Sequence, residues 1–239
     1  MTRALVCFPF AGGGAGFFRA WKDETQDFLA VVPVQLPGRE EAYTDPPFTD
    51  VVTAVQYVLP QMLASVREYQ EYSLFGHSLG AVLAYEAAWQ LTTLGGPVPE
   101  HLFVSGAPGP WAGRSQRATG LDDDEFIARV EQFAGYRHEA LNDPELREIL
   151  LPLLRADVEM HENYRPPARR PLWVPVTSLR GTGDGLVSAE EAREWGAVTT
   201  GTFSCEEVPG SHMYLADGEG PLLKAITGTL ASQAGDHAP

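Results

Sequence analysis

Positive charge is scarce in this chain of 239 residues: 17 Lys and Arg stand against 32 Asp and Glu, a formal net charge of −15. Sequence-independent binding to nucleic acid needs clustered cations that neutralise phosphates, so that class of partner is excluded. Cysteine is nearly absent as well. Cys7 and Cys205 are the only two. Each lies in a strand-like run and neither has a C-x-x-C or Cys/His spacing, so no metal site is expected and both read as buried free thiols. No apolar run approaches the roughly 20 residues of a membrane span. The N-terminus shows no basic segment followed by a hydrophobic stretch and a cleavage site. Repeats, low-complexity tracts and Gly/Ser linkers are missing too. Residues 1–239 therefore read as one domain of a cytoplasmic protein with no membrane partner, expected to be monomeric.

What is present is a composition 44% hydrophobic and 21% charged, the makeup of a globular protein that buries a sizeable core. Short runs rich in Val, Leu and Phe alternate with longer helical patterns, the sign of a mostly parallel sheet with helices on both faces. The runs predict strands over 4–8, 30–35, 72–75, 101–105, 174–179 and 202–208. Helices are predicted near 17–28, 49–69, 81–94, 189–195 and 221–231, with a polar, disordered tail over 232–239.

One stretch breaks the alternation. About sixty residues, spanning 111–170, are inserted after the fourth strand. Asp122, Asp123 and Asp124 open one helix, where carboxylates suit the unpaired N–H groups, and Phe126, Val130 and Phe133 fall on one side of it. Asp143-Pro144 opens the next with an N-cap and a first-turn proline, and Pro152 is expected to bend it. Two apolar helices over the strand ends read as a lid above an apolar chamber, although helices that merely extend the core would show the same pattern.

The chemistry is carried by Gly76-His77-Ser78-Leu79-Gly80. Lying between an apolar run and a helical one, it has the context of a nucleophile elbow, the sharp strand-to-helix turn that lifts a serine hydroxyl off the sheet edge in the α/β-hydrolase fold. Such a serine needs a base, and the base needs a group to orient it. In that fold the order along the chain is Ser, acid, His, each after a strand. Of six histidines, His212 follows the last strand, in a Pro-Gly-Ser-His turn. His77 flanks the nucleophile, His101 begins a strand, His138 and His161 lie in the insertion and His237 in the tail. Asp184, in Gly181-Thr182-Gly183-Asp184-Gly185, follows the fifth strand. The alternative position for the acid, after the fourth, reads Gly106-Ala107-Pro108-Gly109 and offers no carboxylate. The oxyanion donors should be the backbone N–H groups of Leu79 and, in the glycine loop after the first strand, Ala11.

With these residues in place the chain resembles the type II thioesterases, the free-standing editing hydrolases of polyketide and nonribosomal peptide synthetases. The resemblance runs through Cys7-Phe8-Pro9 with Ala11-Gly12-Gly13, then Gln35-Leu36-Pro37-Gly38-Arg39-Glu40 and Leu74 to Gly80. It continues through His101 to Gly106, Leu150 to Asp157, and Pro209-Gly210 with His212. The block from Gln35 to Glu40 stands out, because no general property of an α/β hydrolase requires it. The resemblance implies Ser78 as nucleophile, His212 as base and Asp184 as its carboxylate, with no cofactor of the enzyme's own. The substrate would bring phosphopantetheine on an acyl or peptidyl carrier protein that docks transiently. Arg165, Arg169 and Arg170 are candidates for that docking. Three departures from the family are visible: Phe10 where histidine is usual, Gly185 where proline is usual, and a start almost at the first strand. A carboxylesterase or lipase would share every one of the three catalytic positions, and a silent binding scaffold would share the fold. A domain that releases a final product from a synthetase is less expected, as no carrier sequence precedes this one.

Overall fold

A computed structural model of the chain describes residues 3–25, 28–112, 117–134, 139–166 and 171–236. Along it run β1 (Arg3–Phe8), α1 (Arg19–Thr25), β2 (Leu29–Pro33), α2 (Val51–Val66), β3 (Glu71–His77), α3 (Leu79–Leu94) and β4 (His101–Ser105). Then follow α4 (Asp123–Ala134), α5 (Pro144–Asn163), β5 (Val176–Gly181), α6 (Ala189–Arg193), β6 (Phe203–Val208), α7 (Tyr214–Asp217) and α8 (Gly220–Asp236). The strands form one sheet in the order β2-β1-β3-β4-β5-β6, and every pairing in it is parallel. This is the sheet expected of the α/β-hydrolase fold.

Successive side chains of a strand face opposite ways, and here both faces are covered. Ala4, Val6 and Phe8 of β1, Leu74 of β3 and Leu102 and Val104 of β4 join the core beneath α2 and α3. Leu5 and Cys7, Phe75 and Phe103 face the other way, against Trp21 of α1 and Leu222, Ile226 and Leu230 of α8. Strands apolar at every position therefore follow from burial on two sides. β3 runs further than its apolar stretch suggested. Phe8 pairs with Gly76 and Ser105 with His77, so the ladder carries the chain to the residue before the serine.

The insertion packs as a third cluster. Ala118, Phe126, Ile127, Phe133, Leu141, Leu151 and Val158 bury against one another, with Ala11 and Leu186 from the sheet ends among the residues packed on them. Asp143 caps α5 through the N–H groups of Glu145 and Leu146, and α5 continues through Pro152, which has no N–H to give the Glu148 carbonyl.

Two expectations change. Helix α8 extends through Asp236 rather than ending near 231, because Gln233 Nε2 donates to the buried His101 Nδ1 at 2.8 Å and ties the segment to β4. Cys7 is a buried free thiol, its pKa pushed up by burial. Cys205, also free, is only half-buried, since β6 is the sheet edge.

Candidate active site

The elbow is built by what its glycines lack. A Cβ on Gly76 would lie 1.9 Å from the Gly80 carbonyl oxygen, and one on Gly80 would lie 2.4 Å from that of Phe8. Between them Ser78 adopts φ 54° and ψ −113° at the start of α3, a region L-residues seldom enter. Its N–H donates to the Ser105 carbonyl at 2.8 Å, pinning the turn to β4.

Asp184 and His212 come from neighbouring loops after β5 and β6. Thr182 N–H donates to Val208 O and Gly183 N–H to Gly210 O, both at 2.8 Å, so the loops run together. The glycines permit the approach: a Cβ on Gly181 would meet the Ser211 carbonyl at 2.3 Å, and Gly210 has φ +127°. The result is His212 Nδ1 donating to Asp184 Oδ2 at 2.9 Å, both groups buried. Asp184 Oδ1 accepts from Leu186 N–H at 2.8 Å and Val187 N–H at 3.1 Å. That turn is held by the carboxylate itself, so Gly185, with open space around it, costs it no anchor. Burial pushes the Asp184 carboxyl up, but the hydrogen bond and charge of His212 and the two backbone donors outweigh it and hold the group below its ordinary value.

Ser78 and His212 line one small cavity of about 70 Å³ with Phe10, Ala11, Leu154 and Met213. With Nδ1 engaged by Asp184, the ring's Nε2 is the nitrogen left for the serine. Phe10, Ala11, Leu154 and Met213 also line a larger chamber of about 350 Å³ whose other walls include Phe17, Leu141, Leu150 and Leu153. Phe10 packs edge-on against Phe17 at 4.9 Å. The departure from histidine therefore makes that wall apolar.

In the glycine loop Gly13 N–H donates to Phe10 O at 2.9 Å and Gly12 N–H to Asp157 Oδ2 at 2.8 Å. Both amides are committed, whereas Ala11 lines the Ser78 cavity and is the loop's candidate donor, with Leu79 at the head of α3 as the second.

Sequence reasoning missed several neighbours. His77, considered only as a possible base, lies beneath His212 with ring centroids 5.0 Å apart. Its Nδ1 bonds Ser105 Oγ at 2.8 Å, and Ser105 in turn bonds the Tyr214 hydroxyl. His161 of α5 lines the Ser78 cavity. Arg39, quoted only as part of a motif, forms a buried pair with Asp157. Arg165 is exposed at the end of α5, its Nη1 donating to the carbonyls of Glu162 and Tyr164; Arg169, Arg170, His138 and His237 lie outside the described residues. Among the described residues, no group of three or more His, Cys, Asp and Glu is placed to hold a metal ion. No helix among them is long and apolar enough to cross a membrane.

Fold and site together define a serine-hydrolase-like α/β protein with an inserted helical pair above its nucleophile elbow. Residues 3–231 match the thioesterase domain family, and the chain belongs to it; its members are hydrolases acting on thioesters. It is 36% identical over 217 residues to Thioesterase PikA5 of Streptomyces venezuelae, covering 89% of this chain and 75% of that one. A probable cadicidin biosynthesis thioesterase of Streptomyces griseus is also 36% identical, over 88% of this chain; the match spans 58% of that relative's length. Among solved structures, the RedJ thioesterase of the prodiginine pathway in Streptomyces coelicolor superposes with a TM-score of 0.85 at 35% identity. It covers 96% of this chain and 89% of its own.

Proposed function

We propose that this protein is a type II thioesterase that hydrolyses acyl groups from the phosphopantetheine arm of acyl or peptidyl carrier proteins, clearing stalled chains in polyketide or nonribosomal peptide synthesis. Two relatives at 35–36% identity, one named as a thioesterase and the other as the thioesterase of the prodiginine biosynthetic pathway, support the reading. The observation that carries it is the His212–Asp184 pair at 2.9 Å, in a cavity His212 shares with Ser78 and which adjoins an apolar chamber sized for an acyl chain.

In this reading the Ser78 hydroxyl attacks the thioester carbonyl and gives its proton to His212 Nε2. The oxyanion of the tetrahedral intermediate takes hydrogen bonds from the N–H groups of Ala11 and Leu79. On collapse the C–S bond breaks, and the departing thiolate takes the proton from His212, leaving an acyl-serine. Water then attacks the ester, His212 accepts its proton and returns it to Ser78, and the carboxylic acid leaves. Asp184 keeps the imidazole in the required tautomer and stabilises the transient imidazolium. A thiol of pKa about 8.5 leaves readily, so the chain's own groups suffice and no cofactor enters. The carrier is a transient partner, met in the cytoplasm.

The test is a panel of acetyl, propionyl and longer acyl groups on one carrier protein. Wild-type enzyme should release the acids, and Ser78→Ala should lose at least about 10³-fold in kcat. Wild-type turnover in Ser78→Ala sinks the assignment. Faster cleavage of matched oxygen esters than of thioesters would favour a carboxylesterase.

A further inference from the structure

The block around Arg39 has no role in the proposed chemistry, yet its two charged residues and one carboxylate of the insertion hold the glycine loop at successive points. Asp157 of α5 is fully buried and Arg39 is 6% exposed. They meet through a two-pronged pair, Arg39 Nη1 to Asp157 Oδ2 at 2.8 Å and Nη2 to Oδ1 at 2.7 Å. Each also reaches the loop backbone: Asp157 Oδ2 accepts from Gly12 N–H, and Arg39 Nη1 donates to Gly13 O, both at 2.8 Å. Glu40 adds a third hold, its Oε1 accepting from Gly16 N–H at 2.9 Å. Its carboxyl fills the space a side chain at Gly14 would need, with Cδ 2.4 Å from the Cβ position.

The loop so held carries the candidate oxyanion donor. Residues 10–13 form a tight turn closed by Gly13 N–H to Phe10 O at 2.9 Å, with Gly12 at φ +76° in the position where such a turn needs glycine. The Phe10 carbonyl and the Ala11 N–H share one peptide plane. A bond to that carbonyl therefore fixes where the Ala11 N–H points. The turn sets the donor, and the Arg39–Asp157 pair grips it at its middle peptide and at the peptide that follows it. We infer that Arg39 and Asp157 are positioning residues that fix the Ala11 N–H for the oxyanion, and that α5 thereby belongs to the oxyanion machinery as well as to the chamber wall. The inference rests on the proposed thioesterase reaction.

A bare structural tie and a positioning device differ in what they move. Removing one partner leaves a buried charge and endangers the fold, whereas replacing both with apolar residues of similar volume is often tolerated. The deciding variant is the double substitution Arg39→Met with Asp157→Leu, assayed with an acyl N-acetylcysteamine thioester and with a trifluoromethyl ketone that forms a tetrahedral adduct on Ser78. The folded variant should lose about 10- to 100-fold in kcat with KM within about threefold, and its affinity for the ketone should fall in step with kcat/KM. Wild-type kcat and ketone affinity in a folded double variant overturn the inference. If that variant does not fold, Arg39→Lys decides. It keeps the buried charge pair but loses the planar fork that also reaches Gly13, so kcat and ketone affinity should fall about threefold or more at a near-native melting temperature. No change in either quantity overturns the inference there too. Wild-type turnover and its loss in Ser78→Ala test the reaction itself, so the two ideas fail separately.

Discussion

Ser78 stores backbone strain at the point where the reaction is proposed to begin. Its φ of 54° belongs to a region that costs a non-glycine residue on the order of 1–3 kcal/mol. Glycine enters that region freely and alanine does not. Ser78→Gly is therefore expected to melt about 2–4 °C above Ser78→Ala, both inactive. The reverse order, which ordinary helix propensity favours, would mean the elbow is unstrained. At this scale Ser78, Asp184 and His212 were legible because a local motif and the order along the chain tie each to a strand end. Asp157 was not. Its partner Arg39 is 118 residues away, and nothing local distinguishes this carboxylate from the other acids of α5. His77 was seen only as the neighbour of the serine; its place under His212 depends on Ser105 and Tyr214, which reach it from other elements.

Among the elements, β4 and α8 show how burial alters titration. His101 opens β4 with Nε2 on Thr177 Oγ1 at 2.8 Å and Nδ1 on Gln233, and its ring stacks on Phe103. These partners are neutral, and burial pulls its pKa down to about 4. The unfolded chain takes a proton at this histidine at about pH 6.5, the folded chain only at about 4. Stability is thus full above about 6.5, falls as pH drops toward 4, and levels off below it, a loss of up to about 3 kcal/mol. In His101→Gln the fall in melting temperature between pH 6.5 and 4 should be shallower than in wild type; parallel curves would remove His101 as the cause. Element order and type were readable from runs and breaks in hydrophobicity. Ends were less so, since β3 is prolonged by its neighbours' ladder bonds and α8 by one glutamine reaching a histidine in another strand.

Over the whole molecule the charge of −15 sets a condition on any partner. Carrier proteins are commonly acidic, so net repulsion opposes their approach. Screening over about 8 Å at physiological salt confines that repulsion, and a local basic patch suffices for docking. Arg165, exposed at the end of α5, is proposed to belong to that patch with Arg169 and Arg170. Reversing the three to Glu should raise KM for a carrier-bound acyl group about fivefold or more, and leave a small acyl thioester within about twofold. Equal losses on both substrates would reject the docking role.

The sheet and the place of the proposed nucleophile follow from the order of residues alone, because burial on two faces demands apolar runs and the elbow demands glycines on either side of one serine. Which carboxylate meets the imidazole was also written there, in the order of strand ends. What holds the glycine loop after β1 emerges only from the folded chain. A buried ion pair joins residues that share no local pattern, and its partners become recognisable only when folding removes the water that would otherwise have satisfied both charges.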